Sequence, residues 1–164
     1  MSPDATDPHP GAAACLAALE RRSETLGTAE SLTAGLVAAT FATVPGASNV
    51  LRGAIAAYAV DVKTGVLGVA PDVIETYGVY SAECAEAMAN AARAMLACDW
   101  AVSTTGVAGP DPDDGHPAGE VYVAVAGPGG RVVSQRLDLS GSRQEIRRGS
   151  VEAGIALLQQ LVRG

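Results

Sequence analysis

Helical-period segments alternate with short apolar runs along nearly the whole chain, and this alternation most limits the fold. Apolar residues recur three and four apart over 12–22, which predicts a helix burying Cys15, Leu16 and Leu19. Residues 25–29 read as a short strand, followed by an apolar helix over 34–42 that stops before Pro45-Gly46. A second strand, I-A-A-Y-A, occupies 55–59. Short helices follow over 61–67 and 72–77, the latter with Pro71 at its first position. Ser81 is placed to cap a further helix with Glu83 and Glu86 in its first turns, and Cys84, Met88 and Met95 at helical spacing. A buried strand over 100–103 leads into a Gly/Pro/Asp loop over 104–119. Segments 120–126 and 131–139 form a hairpin around Pro128-Gly129-Gly130, and a last helix runs over 142–162. Helices interleaved with strands, plus one hairpin, predict an α/β chain: a three-layer α/β/α sandwich with a mixed β-sheet. Aromatics are only 4% of the residues, so Ala, Val, Leu and Ile must build the core.

The 164 residues suit one domain, and no linker divides them. Residues 1–10, rich in Pro and Asp, are expected to be a disordered tail, leaving 11–164 as a single domain. The net charge of −7 argues against nucleic-acid binding by phosphate neutralisation. No unbroken apolar stretch is long enough for a membrane span, and the start lacks the pattern of a signal peptide. Cys15, Cys84 and Cys98 are an odd number with no C-x-x-C pair, so neither a disulfide framework nor a cysteine metal site is expected. A reducing cytoplasm is the expected compartment.

Four segments could carry chemistry. Ser31 follows a strand and precedes a helix, near free backbone N–H groups that could hold an oxyanion; a serine there is most often an N-cap. Lys63 is the only lysine beside ten arginines. A serine nucleophile needs a base, and a buried neutral lysine can serve where arginine cannot. Tyr58, five residues earlier, could relay a proton. The segment Thr104 to Pro110 leaves the end of a buried strand, where open α/β sheets bind ligands. Asp111, Asp113 and Asp114 beside Gly115 lack the glutamate of a calcium loop and read as a solvated turn. Arg143 and Arg147 share a helical face and could clamp an anion or form a salt-bridged surface.

Taken in order, these segments resemble the CinA C-terminal domain family, the nicotinamide-nucleotide amidohydrolases. The family's A-E-S-C-T-G-G stands here as A-E-S-L-T-A-G, Ala29 to Gly35; V-P-G-A-S is Val44 to Ser48. Its Y-S-N-x-x-K and L-G-V appear as Tyr58 to Lys63 and Leu67 to Val69. G-A-V-S is Gly78 to Ser81, T-G-I-A-G-P is Thr105 to Pro110, and G-x-R-x-x-I-R is Gly141 to Arg147. The resemblance implies hydrolysis of nicotinamide mononucleotide to nicotinate mononucleotide and ammonia, without metal or cofactor. It implies Ser31 as nucleophile and Tyr58 and Lys63 as its activating partners. Thr33, Gly35, Ser48, Thr105, Gly106, Gly109 and Arg147 are implied substrate-binding positions. It also implies a stand-alone form of a domain that some relatives fuse to a second one, and a homo-oligomer. Leu32, Ala34, Ala54 and Val60 depart from the family's Cys, Gly, Gly and Asn; His116 and Glu120 depart from Lys and Thr. These departures bear on substrate preference. A catalytically silent ligand-binding or scaffolding domain, or an amidase for another small carboxamide, are the alternatives.

Overall fold

A computed structural model describes residues 7–163. Helix α1 (Pro10–Arg21) begins two residues before the expected start. The His9 ring accepts the Ala12 N–H at 3.1 Å and meets Glu152 at 2.9 Å, so the end of the expected tail belongs to the fold. The remaining elements are β1 (Leu26–Glu30), α2 (Leu36–Ala42), β2 (Leu51–Ala56), α3 (Val60–Gly65), α4 (Pro71–Tyr77), α5 (Ala82–Leu96), β3 (Trp100–Gly106), β4 (Glu120–Ala126), β5 (Val132–Asp138) and α6 (Arg143–Val162).

The strands form one open sheet in the order β2-β1-β3-β4-β5. β2, β1 and β3 are parallel, while β4 and β5 are antiparallel to their neighbours. The sheet is mixed and covered on both faces, the α/β sandwich expected. Strand periodicity assigns the faces. Trp100, Val102, Val121, Val123 and Val125 pack with residues of α1, α2 and α6, among them Leu19, Phe41, Ile146 and Leu158. The intervening Ala101, Ala124 and Ala126 face α5, whose own contact residues include Ala85, Ala89 and Met88. Small side chains on both partners let α5 approach the sheet closely. The Ser103 hydroxyl donates to the α5 carbonyl of Ala85 across that contact.

Several boundaries differ from expectation. α2 begins at Leu36 because Ala34 and Gly35 have φ of +48° and +100°, incompatible with a continuous helix. β2 ends at Ala56, so Tyr58 lies beyond the strand. β3 continues through Thr104, Thr105 and Gly106, since pairing with β4 extends to Gly106↔Val121. Met95, expected on the buried side of α5, is 53% exposed. Among the described residues no helix is long and apolar enough to cross a membrane.

Candidate active site

β1 lies between β2 and β3, and the crossovers on its two sides run over opposite faces of the sheet: α2 over one, α3 to α5 over the other. The chain therefore diverges at the carboxyl ends of β1 and β3, leaving the crevice where such sheets bind ligands. Ser31 follows β1, Tyr58 and Lys63 follow β2, and Gly106 ends β3. These segments enclose a cavity of about 270 Å³, which Tyr80, Gly109, Asp111, Asp113 and Arg143 also line.

Ser31 is not an N-cap. Its N–H donates to Thr104 O at 3.0 Å, and its own carbonyl accepts Ala34 N–H at 3.0 Å, closing a tight turn. Its hydroxyl instead meets Lys63 Nζ at 3.0 Å. The neighbouring Glu30 does the capping. Its fully buried carboxylate accepts the N–H groups of Val37 and Ala38 at 2.8 and 3.0 Å, and the hydroxyls of Thr33 and Thr28 at 2.7 and 2.9 Å. The sequence signal for Glu30 is an acid ending a short strand, with hydroxyl residues two before and three after it.

Lys63 is 3% exposed. Its Nζ lies 3.0 Å from the Tyr58 carbonyl oxygen as well as from Ser31. Burial lowers its pKa from the ordinary 10.5, with Cys84 opposing the shift. Nζ donates to both oxygens, Tyr58 O and Ser31 Oγ; loss of one proton would free its lone pair for the serine hydroxyl. The Tyr58 hydroxyl points to neither; it accepts Arg143 Nη2 at 2.8 Å.

The two arginines of α6 divide their roles. Arg143 Nη1 donates to Gly109 O at 2.6 Å, so together with its Tyr58 contact it clips two walls of the cavity. Arg147 donates to the carbonyls of Leu32 and Thr33 at 2.9 and 3.1 Å, holding the Ser31 turn from behind without lining the cavity. Of the other expected binding positions, Gly106 and Gly109 line the cavity. Thr33 is buried with its hydroxyl on Glu30 and Thr104; Thr105 donates to Val79 O at 2.8 Å. Gly35 precedes α2, and Ser48 lies exposed in the short helical turn Ala47–Asn49; neither lines the cavity. Gly106 is needed by the sheet itself, because a Cβ there would stand 2.6 Å from Glu120 O and 2.7 Å from Val121 Cα.

The model of the CinA C-terminal domain matches residues 9–162. The chain belongs to the CinA C-terminal domain family. It is 43% identical over 151 residues to a CinA-like protein of Gloeobacter violaceus and 40% identical over 149 residues to one of Frankia casuarinae, covering 91% of this chain in both. It spans only 35% and 34% of those relatives' lengths. Among solved structures, the competence/damage inducible protein CihA of Agrobacterium tumefaciens matches with a TM-score of 0.88 and 28% identity over 94% of both chains. A CinA superfamily protein of Klebsiella pneumoniae matches with a TM-score of 0.90 and 25% identity, over 96% of this chain and 98% of that one.

Against the family pattern, the departures His116 and Glu120 meet each other: His116 Nδ1 and Glu120 Oε1 are 3.0 Å apart. Tyr122 donates to the same carboxylate at 2.8 Å, and Arg136 lies 3.8 Å away. Burial pushes the Glu120 pKa up, but the hydrogen bonds from Tyr122 and His116 outweigh it and hold the carboxyl below its usual range. The His116 ring packs edge-on against Tyr80, centroids 5.3 Å apart, and the Tyr80 hydroxyl donates to Asp113. This CinA-family chain thus backs one wall of its cavity with a hydrogen-bonded cluster.

Proposed function

We propose that this domain hydrolyses the carboxamide of nicotinamide mononucleotide, giving nicotinate mononucleotide and ammonia, with Ser31 as nucleophile and Lys63 as base. The observation that carries this reading is the 3.0 Å approach of a buried, neutral-favouring Lys63 amine to the Ser31 hydroxyl inside a cavity. As Ser31 Oγ bonds to the amide carbon, its proton passes to Lys63 Nζ. The Leu32 N–H, adjacent to the nucleophile in the chain and without an acceptor among the described residues, would meet the developing oxyanion. One such donor is worth roughly 3 kcal/mol in known hydrolases. Lys63 then returns the proton to the leaving nitrogen, the C–N bond breaks, and ammonia departs. Water, giving its proton to the same amine, cleaves the acyl-serine ester and restores Ser31.

Tyr58 supports the base through its carbonyl rather than its phenol. Arg143, which lines the cavity and pairs with no carboxylate among the described residues, is the better placed arginine for the substrate phosphate. The three free cysteines suit a reducing cytoplasm. Val66, Tyr77 and Met95, large apolar side chains left exposed, suit assembly with further copies of the chain.

Ammonia release from nicotinamide mononucleotide by wild type, Ser31→Ala and Lys63→Arg tests the scheme. Activity in wild type alone supports it; wild-type rates in both variants sink it. Val60 lines the cavity where the family pattern has Asn, which favours a related carboxamide as the second reading. A panel of small carboxamides separates the two.

A further inference from the structure

Four polar side chains next to the Ser31 turn are sealed from solvent: Thr28, Glu30, Thr33 and Thr104 are all fully buried, and none lines the cavity. No cation pairs with the Glu30 carboxylate among the described residues. Its Oε1 accepts the Thr33 hydroxyl and the Val37 N–H, and its Oε2 the Thr28 hydroxyl and the Ala38 N–H. Thr33 has one hydroxyl proton and gives it to Glu30, so its oxygen accepts the Thr104 hydroxyl, 2.8 Å away. The carboxylate thereby fixes the direction of a hydrogen-bond chain from Thr104 through Thr33. The backbone of the same residues carries the reacting groups. Thr104 O accepts the Ser31 N–H at 3.0 Å, and Glu30 O accepts the Ala57 N–H at 2.9 Å. Ala57 precedes Tyr58, whose carbonyl oxygen meets Lys63 Nζ. Capping of α2 accounts for the two amide bonds to Glu30 and leaves the chain of hydroxyls unexplained.

We infer that Glu30 is a positioning residue for hydrolysis: through Thr33 and Thr104 it holds the Ser31 hydroxyl where Lys63 can take its proton. This role rests on the amidase reading, which makes Ser31 the nucleophile and Lys63 the base. Backbone preference alone does not hold the turn, since Ala34 has φ of +48°, a region that alanine rarely adopts. Buried and fully satisfied, the network is rigid, because each of its groups has no water to turn to. A displacement of about 1 Å between reacting atoms can cost about a hundredfold in rate. Loss of this support therefore shows in the chemical step and not in substrate binding.

Two readouts on the full chain test this: steady-state ammonia release from nicotinamide mononucleotide, and the second-order rate of Ser31 labelling by an alkyl fluorophosphonate. In the labelling step Ser31 Oγ bonds to phosphorus, the P–F bond breaks, fluoride leaves, and the serine proton passes to Lys63. Glu30→Gln, which replaces one acceptor oxygen with a donor, should lower kcat and the labelling rate by about tenfold or more, with KM changed by less than about twofold. Thr33→Val should do the same, and Thr33→Ser should keep both rates near wild type. Thr28→Val removes a hydroxyl from the same carboxylate without touching the chain to Thr104, and should leave both rates intact. Leu19→Ala, in the fully buried core of α1, should lower the melting temperature and leave both rates intact, which separates positioning from stability. Wild-type rates in Glu30→Gln and Thr33→Val, a rise in KM with kcat unchanged, or equal losses in Thr28→Val and Thr33→Val overturns the role of Glu30. A wild type that labels at Ser31 but releases no ammonia loses the amidase reading, and the labelling rates still decide this one. A wild type that does neither overturns both.

Discussion

Arg147 Nε donates to the carbonyl oxygen of Leu32 at 2.9 Å, tying the last helix to the turn that presents Ser31. Arg143, one helical turn earlier, reaches into the cavity instead. Alanine at the two positions should therefore give different kinetics. Arg143→Ala should raise KM for nicotinamide mononucleotide by about tenfold or more, with a small change in melting temperature. Arg147→Ala should lower kcat and stability together, because two carbonyls lose a charged donor, at about 1.5–3 kcal/mol for each such bond. Steady-state kinetics with thermal melts on both variants checks the split, and identical profiles would contradict it.

Lys63 sets the pH dependence. Its folded pKa lies below the ordinary value, and the scheme uses the neutral amine, so kcat/KM should climb as pH rises through that lowered pKa. The stability sign follows from proton counting. Between the folded pKa and the unfolded value near 10.4, the unfolded chain binds more protons, so stability rises with pH. Relative to Lys63→Met, wild type should gain at most about 1.4 kcal/mol per pH unit in that window. Denaturant titrations of both proteins across the alkaline range measure it; a flat difference removes the lowered pKa.

Glu30 is fully buried and accepts four hydrogen bonds. Glu30→Ala leaves all four donors without their partner, and roughly 3–5 kcal/mol of stability should go with them. Glu30→Gln should cost less, since it keeps one acceptor oxygen. Urea unfolding of the pair would falsify the capping role if alanine proved no worse than glutamine.

Ala34 has φ of +48°, a region that costs an alanine about 1–2 kcal/mol and a glycine nothing. Gly loses more chain entropy on folding, by about 0.5–1 kcal/mol. Ala34→Gly, which restores the family residue, should therefore stabilise by ~0.5–1 kcal/mol. For a chain of this length that is about 1–4 °C in Tm, readable by calorimetry.

The elements were legible in the sequence because their signals are local. Apolar spacing separates helix from strand, and Ser81 caps α5 as its position suggests. The odd distribution of cations was legible too: one lysine among ten arginines marks Lys63 before any contact is known. What stayed hidden depends on approach between distant segments. The 3.0 Å between Ser31 and Lys63 exists because two parallel strands end side by side. From its position Ser31 reads as a helix cap, and only the fold shows Glu30 holding the helix amides in its place. Arg143 and Arg147 are equivalent in a helical projection, and only the packing of α6 decides which one faces the cavity. His116 and Glu120 look like separate departures from the family pattern until the fold joins them behind Tyr80. Periodicity and capping are properties of neighbouring residues, so the chain alone determined its helices, its strands and its sandwich architecture. Hydrogen-bond partners, burial and shifted pKa values arise from what surrounds a side chain in space, and only the tertiary structure decided them.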